Sequence, residues 1–156
     1  IESIQGKISK DKEAVTEVII NNIRQKIIRE HLIDPAFYEQ MSALLKEVIK
    51  ERRANALEYK AYLKKLAELA KSVIEGTTSD MPAEINTPAL RALYNNLNKD
   101  KDLAVKLHSG IVSVKPDGWR GNPQKENVVK GAIYKIVNDE TEVERIFSIV
   151  KHQNDY

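Results

Sequence analysis

One loop concentrates the residue types that are best suited to bind a partner. Trp119, Arg120, Gly121 and Asn122 are consecutive, and Lys125 follows three residues later. A tryptophan beside an arginine in a loop is the composition of a protein-interface hot spot. An exposed indole also stacks on nucleotide bases. Alternatively, the indole fills a small core while Gly121 and Asn122 supply the conformations of a turn.

Of these three roles for Trp119, the sequence favours burial in a core. The preceding Asp-Gly and the following Gly-Asn pairs predict a rigid turn. The flanking helices offer apolar side chains that would receive the indole, namely Leu107, Ile111, Ile133 and Phe147. We therefore predict a buried Trp119, with Arg120 and Lys125 at the surface as candidate partner contacts and Asn122 as a further docking candidate.

Arg52 and Arg53 form a second candidate docking site. Apolar residues recur in steps of three and four from Met41 to Val73, which predicts one face of a helix. Arg52 and Asn55 fall where this apolar face should continue. Either a polar pair lies in the interior, or the helix leaves the core at this point, and we slightly favour exposure.

The charges of the chain are nearly balanced. There are 25 Lys and Arg against 23 Asp and Glu, so composition alone does not imply nucleic-acid binding. The stretch 99–135 is nevertheless locally basic, and it precedes an acidic tail that contains Asp139, Glu140, Glu142 and Glu144. We favour ordinary helix surface for the basic stretch, and a helix N-terminus over a cation site for the acidic run.

The common catalytic and metal-binding patterns are missing from this sequence. It has no G-x-x-x-x-G-K-S/T phosphate loop, no H-E-x-x-H, no G-x-S-x-G and no cysteine. His31, His108 and His152 are far apart and lack ligand-like spacing. We therefore predict no catalytic residue, no metal site and no cofactor in this chain. The lack of cysteine fits a reducing compartment, and no apolar run reaches the length of a membrane span.

The elements that position these residues are predicted to be helices throughout. Residues 1–10 are expected to be a linker or frayed end. Residues 11–76 are predicted to form a long antiparallel helix pair, whose second helix runs unbroken from Ala36 to Glu75 and stops at Gly76. Asp34-Pro35 and Thr87-Pro88 are typical helix starts, with a capping side chain followed by Pro at the first helical position.

The remainder of the chain is predicted to be a connecting loop over 77–87 and a small helical bundle over 88–156. Its helices are expected to start at 88 and to span about 101–114, 124–137 and 141–152. The whole is expected to be one all-α domain. Because the chain starts at Ile1, we expect a fragment of a larger polypeptide.

Eight segments, in their order and spacing, resemble the C-terminal end of the restriction (R) subunit of type I restriction-modification enzymes. The resemblance covers residues 13–156, and no single piece carries it alone. Its segments are EVIINNIRQKII at 17–28, DPAFYEQMS at 34–42, ERRANALEY at 51–59, ALYNNL at 92–97, DGWRGN at 117–122, KE at 125–126, ERIF at 144–147 and VKHQNDY at 150–156.

The resemblance implies a parent polypeptide with a nuclease domain and two RecA-like motor domains, which cuts unmethylated DNA after ATP-driven translocation. ATP and magnesium are expected for that parent, and methyltransferase and specificity subunits are its expected partners in the prokaryotic cytoplasm. The implied role of this chain is to dock the R subunit onto the methyltransferase core. Alternatives are a DNA-path element acting through 99–135 and a structural brace for the motor domains. Tyr156 is expected to be the natural terminus.

Overall fold

The fold is all-α, as the sequence predicts. The structure, a computed structural model, describes the backbone of residues 2–55 and 57–156 and the side chains of 10–55 and 57–156. These residues contain no strand, and no helix among them is long and apolar enough to cross a membrane. The helices are α1 Glu2–Glu30, α2 Pro35–Arg53, α3 Tyr59–Glu75, α4 Pro88–Asn96, α5 Lys101–Val114, α6 Pro123–Val137 and α7 Glu140–Val150.

The chain divides into two compact units. The first unit comprises 1–31 and 38–78, and the second comprises 32–37 and 79–156. In the first unit, α1 packs against α3. Apolar side chains spaced three or four residues apart on its helices are buried, and they include Ile20, Ile23, Ile27, Met41, Leu45, Leu66, Leu69 and Val73. The apolar periodicity therefore identifies the core of this unit.

The predicted unbroken helix from Ala36 to Glu75 is wrong, because α2 ends at Arg53 and α3 begins at Tyr59. Asn55 has a left-handed φ of 57°, which asparagine adopts more readily than most residues and which ends a helix. The Arg52 Nη1 donates a 2.8 Å hydrogen bond to the Leu57 carbonyl and so bridges the turn. The polar break in the apolar pattern is therefore a helix end.

α2 and α3 consequently run in opposite directions. Lys65 of α3 forms a 3.0 Å ion pair with Glu51 near the end of α2. A side chain at Gly76, just beyond α3, would meet the hydroxyl of Tyr38 near the start of α2. Gly76 has the left-handed φ of 69° that was predicted for a helix stop. The first unit is thus built on three helices, where the sequence predicts a pair.

The predicted linker or frayed end at residues 1–10 is also wrong for the part that the structure describes, because α1 begins at Glu2. Each residue added to an existing helix gains one hydrogen bond, so a helix that is packed further along extends readily. Gly6 opposes this by only about 1 kcal/mol. Composition alone therefore placed the helix start too late.

The second unit has a core formed by α4 to α7. α5 packs against α4 and α6, and α7 packs against α6 and α4. The Thr87 hydroxyl accepts a hydrogen bond from the Leu90 amide, which confirms the predicted helix start at Pro88. The predicted 101–114 helix is confirmed at both ends. The predicted 141–152 helix instead spans Glu140–Val150.

Candidate functional site

Trp119 is buried in the core of the second unit, as predicted. Its side chain is 2% exposed, and its ring meets the Phe147 ring edge-on with centroids 5.8 Å apart. The indole Nε1 donates a 3.4 Å hydrogen bond to the backbone oxygen of Tyr156. Gly121 has a φ of 81°, so a residue with a side chain would be strained in this turn. The loop is therefore a structural part of the core.

Arg120 holds the segment 151–156, hereafter the C-terminal segment. Its guanidinium carbon lies 4.5 Å from the centroid of Trp119. Nε donates to the Lys151 carbonyl at 3.0 Å, Nη1 donates to the Tyr156 backbone oxygen at 3.0 Å, and Nη2 donates to the Gln153 carbonyl. A side chain that the sequence offers as a partner contact thus satisfies three backbone acceptors of its own unit.

The other two docking candidates of this loop are also bonded within the second unit. The Asn122 Oδ1 accepts a 3.2 Å hydrogen bond from the Lys125 amide and so caps α6. The Lys125 Nζ donates a 2.8 Å hydrogen bond to the Asp117 carbonyl. Each residue therefore has a structural role that accounts for its position near the turn.

The C-terminal segment also bonds to three other parts of the second unit. Its side chains reach segment 32–37, the start of α4 and the middle of α5. The contacts are Gln153 Nε2 donating to the Ile33 carbonyl at 2.7 Å, the Ala89 amide donating to Asp155 Oδ2 at 2.9 Å, and Tyr156 Oη beside His108 Nδ1 at 2.6 Å. His108 is therefore engaged in holding this segment, a role that its isolated position in the sequence does not indicate.

Asp34 lies at the centre of a buried polar cluster in the second unit. It is 5% exposed, and its carboxylate accepts hydrogen bonds from the Phe37 amide at 3.2 Å, from Asn95 Nδ2 at 2.9 Å and from Asn96 Nδ2 at 2.8 Å. Burial raises the pKa of this carboxyl to about 6, although the three donors and Arg91 oppose the rise. The sequence predicts only the helix cap at Asp34 and misses both asparagines.

A cleft of about 830 Å³ opens in the first unit, where the end of α2 and the start of α3 face α1. It is lined by four cations, two carboxylates, two tyrosines and four other residues. These residues are Lys12, Arg24, Arg52, Arg53, Glu13, Glu17, Tyr59, Tyr62, Thr16, Ile20, Asn21 and Ile49. Arg52 and Arg53, which the sequence singles out, therefore belong to a larger basic surface that it does not reveal.

The cations of this cleft lie close to its tyrosines. The Lys12 Nζ is 4.7 Å from the Tyr59 centroid, and the Arg52 guanidinium carbon is 5.8 Å from the Tyr62 centroid. Burial raises the pKa of the Tyr62 phenol, whereas the positive charges of three arginines, Arg52, Arg53 and Arg24, lower it. No described acidic side chain lies within ion-pair distance of these arginines or of Lys12.

Half of the basic residues in stretch 99–135 have internal partners. Besides Arg120 and Lys125, Lys101 pairs with Glu84 at 3.5 Å and Lys130 pairs with Glu144 at 3.0 Å. The remaining four are Lys99, Lys106, Lys115 and Lys135. The basic stretch therefore offers fewer unengaged cations for DNA than its composition suggests.

The acidic run at 139–144 forms the start of a helix, as favoured from the sequence. The Asp139 Oδ1 accepts a 3.1 Å hydrogen bond from the Glu142 amide and caps α7. Among the described residues, no group of three or more His, Cys, Asp or Glu side chains is arranged to hold a metal ion.

Comparisons with known proteins identify no relative. The chain matches no family model, no curated protein and no solved structure.

Proposed function

We propose that this chain is the helical assembly domain of a type I restriction R subunit, which docks the DNA-translocating and DNA-cleaving subunit onto the methyltransferase core. One observation carries the proposal. Segments that resemble this family, and that are widely separated in the sequence, are bonded to one another in the second unit. The proposed role is protein–protein docking, and catalysis is assigned to other parts of the parent polypeptide.

The bonds between these segments are specific ones. The carboxylate of Asp34, in DPAFYEQMS, accepts hydrogen bonds from both asparagines of ALYNNL, Asn95 and Asn96. Arg120 of DGWRGN donates to the backbone of VKHQNDY at three positions, including Gln153. Hydrogen bonds of this kind require a donor side chain and an acceptor at matching positions in the two segments. Segments that resemble one family therefore hold one fold together, which supports a common fold with that family.

Apolar side chains on the surface of the second unit support docking as the role of that fold. Val105 and Val112 of α5 are 40% and 48% exposed, and Val128 of α6 is 45% exposed. Val105 and Val112 are seven residues apart and so share one helix face. The cores of protein interfaces are apolar and depleted of charge, which fits such a face.

The test is a pull-down of the whole chain with a purified methyltransferase–specificity complex, with and without duplex DNA. We expect capture that needs no DNA and changes little with salt, because an apolar contact releases few counterions. Val112→Asp should weaken capture without changing the melting temperature. Val18→Asp is the matched control, since Val18 is 59% exposed on α1 of the first unit.

The other two roles predict different results. Capture that requires DNA and falls steeply with salt would favour the DNA-path element. A chain that binds neither complex nor DNA would favour the structural brace. Loss of capture with Val18→Asp alone would move the docking surface to the first unit. The isolated chain should also neither hydrolyse ATP nor nick DNA with magnesium, and turnover by a preparation that is free of contaminants would contradict the proposal.

A further inference from the structure

We infer that the cleft of the first unit binds a small molecule that carries two or more adjacent phosphate groups, such as a nucleoside diphosphate. This site is separate from the proposed docking function and does not depend on it. Its central groups are Arg24, Arg52 and Arg53 around Tyr62, with Lys12 beside Tyr59.

The charge of the cleft is the first argument. Three guanidinium groups, those of Arg24, Arg52 and Arg53, line the Tyr62 end of the cleft. Glu13 and Glu17 also line the cleft, but neither lies within ion-pair distance of these arginines. Positive charges that lie close together and have no ion-pair partner repel each other and favour a bound anion. One phosphate monoester carries roughly 1.5 to 2 negative charges at neutral pH, so a single phosphate neutralises this end only in part.

The type of cation is the second argument. Guanidinium groups bind phosphate oxygens through two parallel N–H donors, which lysine cannot do. Arg24 and Arg53 are exposed at the cleft, and neither forms an ion pair with a described side chain, so their donors are available. Arg52 is half-buried and already donates through Nη1 to the Leu57 carbonyl, which fixes the position of its guanidinium.

The size and lining of the cleft are the third argument. Its volume of about 830 Å³ is within the range of sites that enclose a small ligand. The lining includes the amide of Asn21 and the carboxylates of Glu13 and Glu17, which are suited to the hydroxyl or amino groups of an organic phosphate. A DNA duplex instead needs an extended surface that follows its backbone. The concave shape therefore favours a small oligophosphate.

The test is calorimetric titration of the 156-residue chain with pyrophosphate, with inorganic phosphate and with a short DNA duplex. We expect pyrophosphate to bind about tenfold more tightly than inorganic phosphate, since a second phosphate adds charge-assisted hydrogen bonds. Arg53→Ala and Arg24→Ala should each weaken pyrophosphate binding about tenfold or more for the same reason.

Arg29→Ala is the matched control, because Arg29 lies on α1 outside the cleft and its side chain is 71% exposed. It should leave pyrophosphate affinity unchanged, and the melting temperature of each variant shows whether it is folded. Three results would overturn the inference: no saturable binding of pyrophosphate at millimolar concentration, equal losses in Arg29→Ala and Arg53→Ala, or binding of the duplex that requires Arg53 and that pyrophosphate does not displace.

Discussion

The two units use arginine in different ways. In the second unit, Arg120 donates three hydrogen bonds to the backbone of its own unit. In the first unit, Arg53 faces the cleft without an ion-pair partner among the described side chains. Both residues are exposed by area. Exposure of an arginine is therefore a poor guide to whether its donors are available to a partner.

The interactions that stabilise the two units also differ. The second unit combines an apolar core around Leu107, Ile133 and Phe147 with the buried bonds of Asp34 and of the C-terminal segment. The described buried residues of the first unit are hydrophobic apart from Thr16, and none of them is charged. We therefore expect substitutions of polar residues to destabilise the second unit far more than the first.

The largest effect is expected for Trp119→Ala. Truncation of a buried aromatic side chain costs about 3–5 kcal/mol of unfolding free energy, because it removes apolar contacts and leaves a cavity. Urea unfolding followed by helicity measures this loss. In the wild type, Trp119 emission should be blue-shifted, since the indole is 2% exposed. Tyr134→Ala is the control, because Tyr134 is 46% exposed on α6, and a red-shifted wild-type emission would contradict the packing.

The next effect concerns pH and Asp34. Because burial raises its folded pKa from 3.8 to about 6, the folded state binds this proton more tightly than the unfolded state does. The contribution of the Asp34 carboxyl to the free energy of unfolding is fully present below the unfolded pKa, and it is lost as pH rises through the folded pKa. The total loss is about 3 kcal/mol, and it is spread over about pH 3 to pH 7.

The measurement is the urea midpoint of the wild type and of Asp34→Asn across that range, with Trp119 emission as the reporter of the second unit. The stability of the wild type relative to Asp34→Asn should decrease as pH rises, because asparagine does not ionise. Parallel pH profiles would show that Asp34 does not titrate in this window. Carbon NMR of the Asp34 carboxyl provides an independent value of the pKa.

A smaller effect is expected for Arg120→Ala. Arg120→Ala removes all three hydrogen bonds to the C-terminal segment. Loss of one charge-assisted hydrogen bond costs about 1.5–3 kcal/mol, and we expect the total loss to stay in this range because carbonyl oxygens that lose Arg120 can bind water instead. We expect destabilisation by about 2 kcal/mol in urea unfolding that is followed by Trp119 emission. Arg120→Lys should not restore the full stability, because an ammonium lacks the planar fork that reaches three oxygens. Full stability in Arg120→Ala would show that these bonds contribute nothing.

The smallest effects compare two neighbouring arginines of the first unit. Arg52→Ala removes the bond to the Leu57 carbonyl at the end of α2, and we expect a loss of about 1 kcal/mol. Arg53→Ala should change stability by no more than about 0.5 kcal/mol, because Arg53 is exposed. Helicity measured during urea unfolding tests both variants, and a larger effect at Arg53 than at Arg52 would reverse the roles assigned to them.

Helix starts and stops were largely predictable, because single residues determine them. Asp34 and Thr87 each accept a hydrogen bond from the helix amide three residues on, and Gly76 has the left-handed conformation expected of a stop. The helix end near Asn55 was missed because it contains neither Gly nor Pro. The sequence shows that Arg52 interrupts the apolar pattern. It does not show that the chain turns there, because the turn depends on the left-handed conformation of Asn55.

The candidate sites were harder to predict, because they are assembled from distant residues. The burial of Trp119 followed from the apolar residues on neighbouring helices. The bonds of Arg120 did not, because they join it to residues 31 or more positions away. The cleft combines Lys12 and Arg24 of α1 with Tyr59 and Tyr62 of α3. None of these residues is unusual alone, and only the packing of the helices brings them together.

The discontinuity of the second unit has a consequence for how the chain is synthesised. Gln153 bonds to Ile33, 120 positions earlier, and segment 32–37 belongs to the second unit although the first unit surrounds it in sequence. On a ribosome, residues 38–78 emerge well before the C-terminal segment does. The helices of the first unit can therefore associate early, whereas segment 32–37 must wait for partners that lie up to 120 positions later in the sequence. Contacts between residues so far apart in the sequence form slowly. Until they form, Asp34 and its neighbours stay accessible to chaperones during translation.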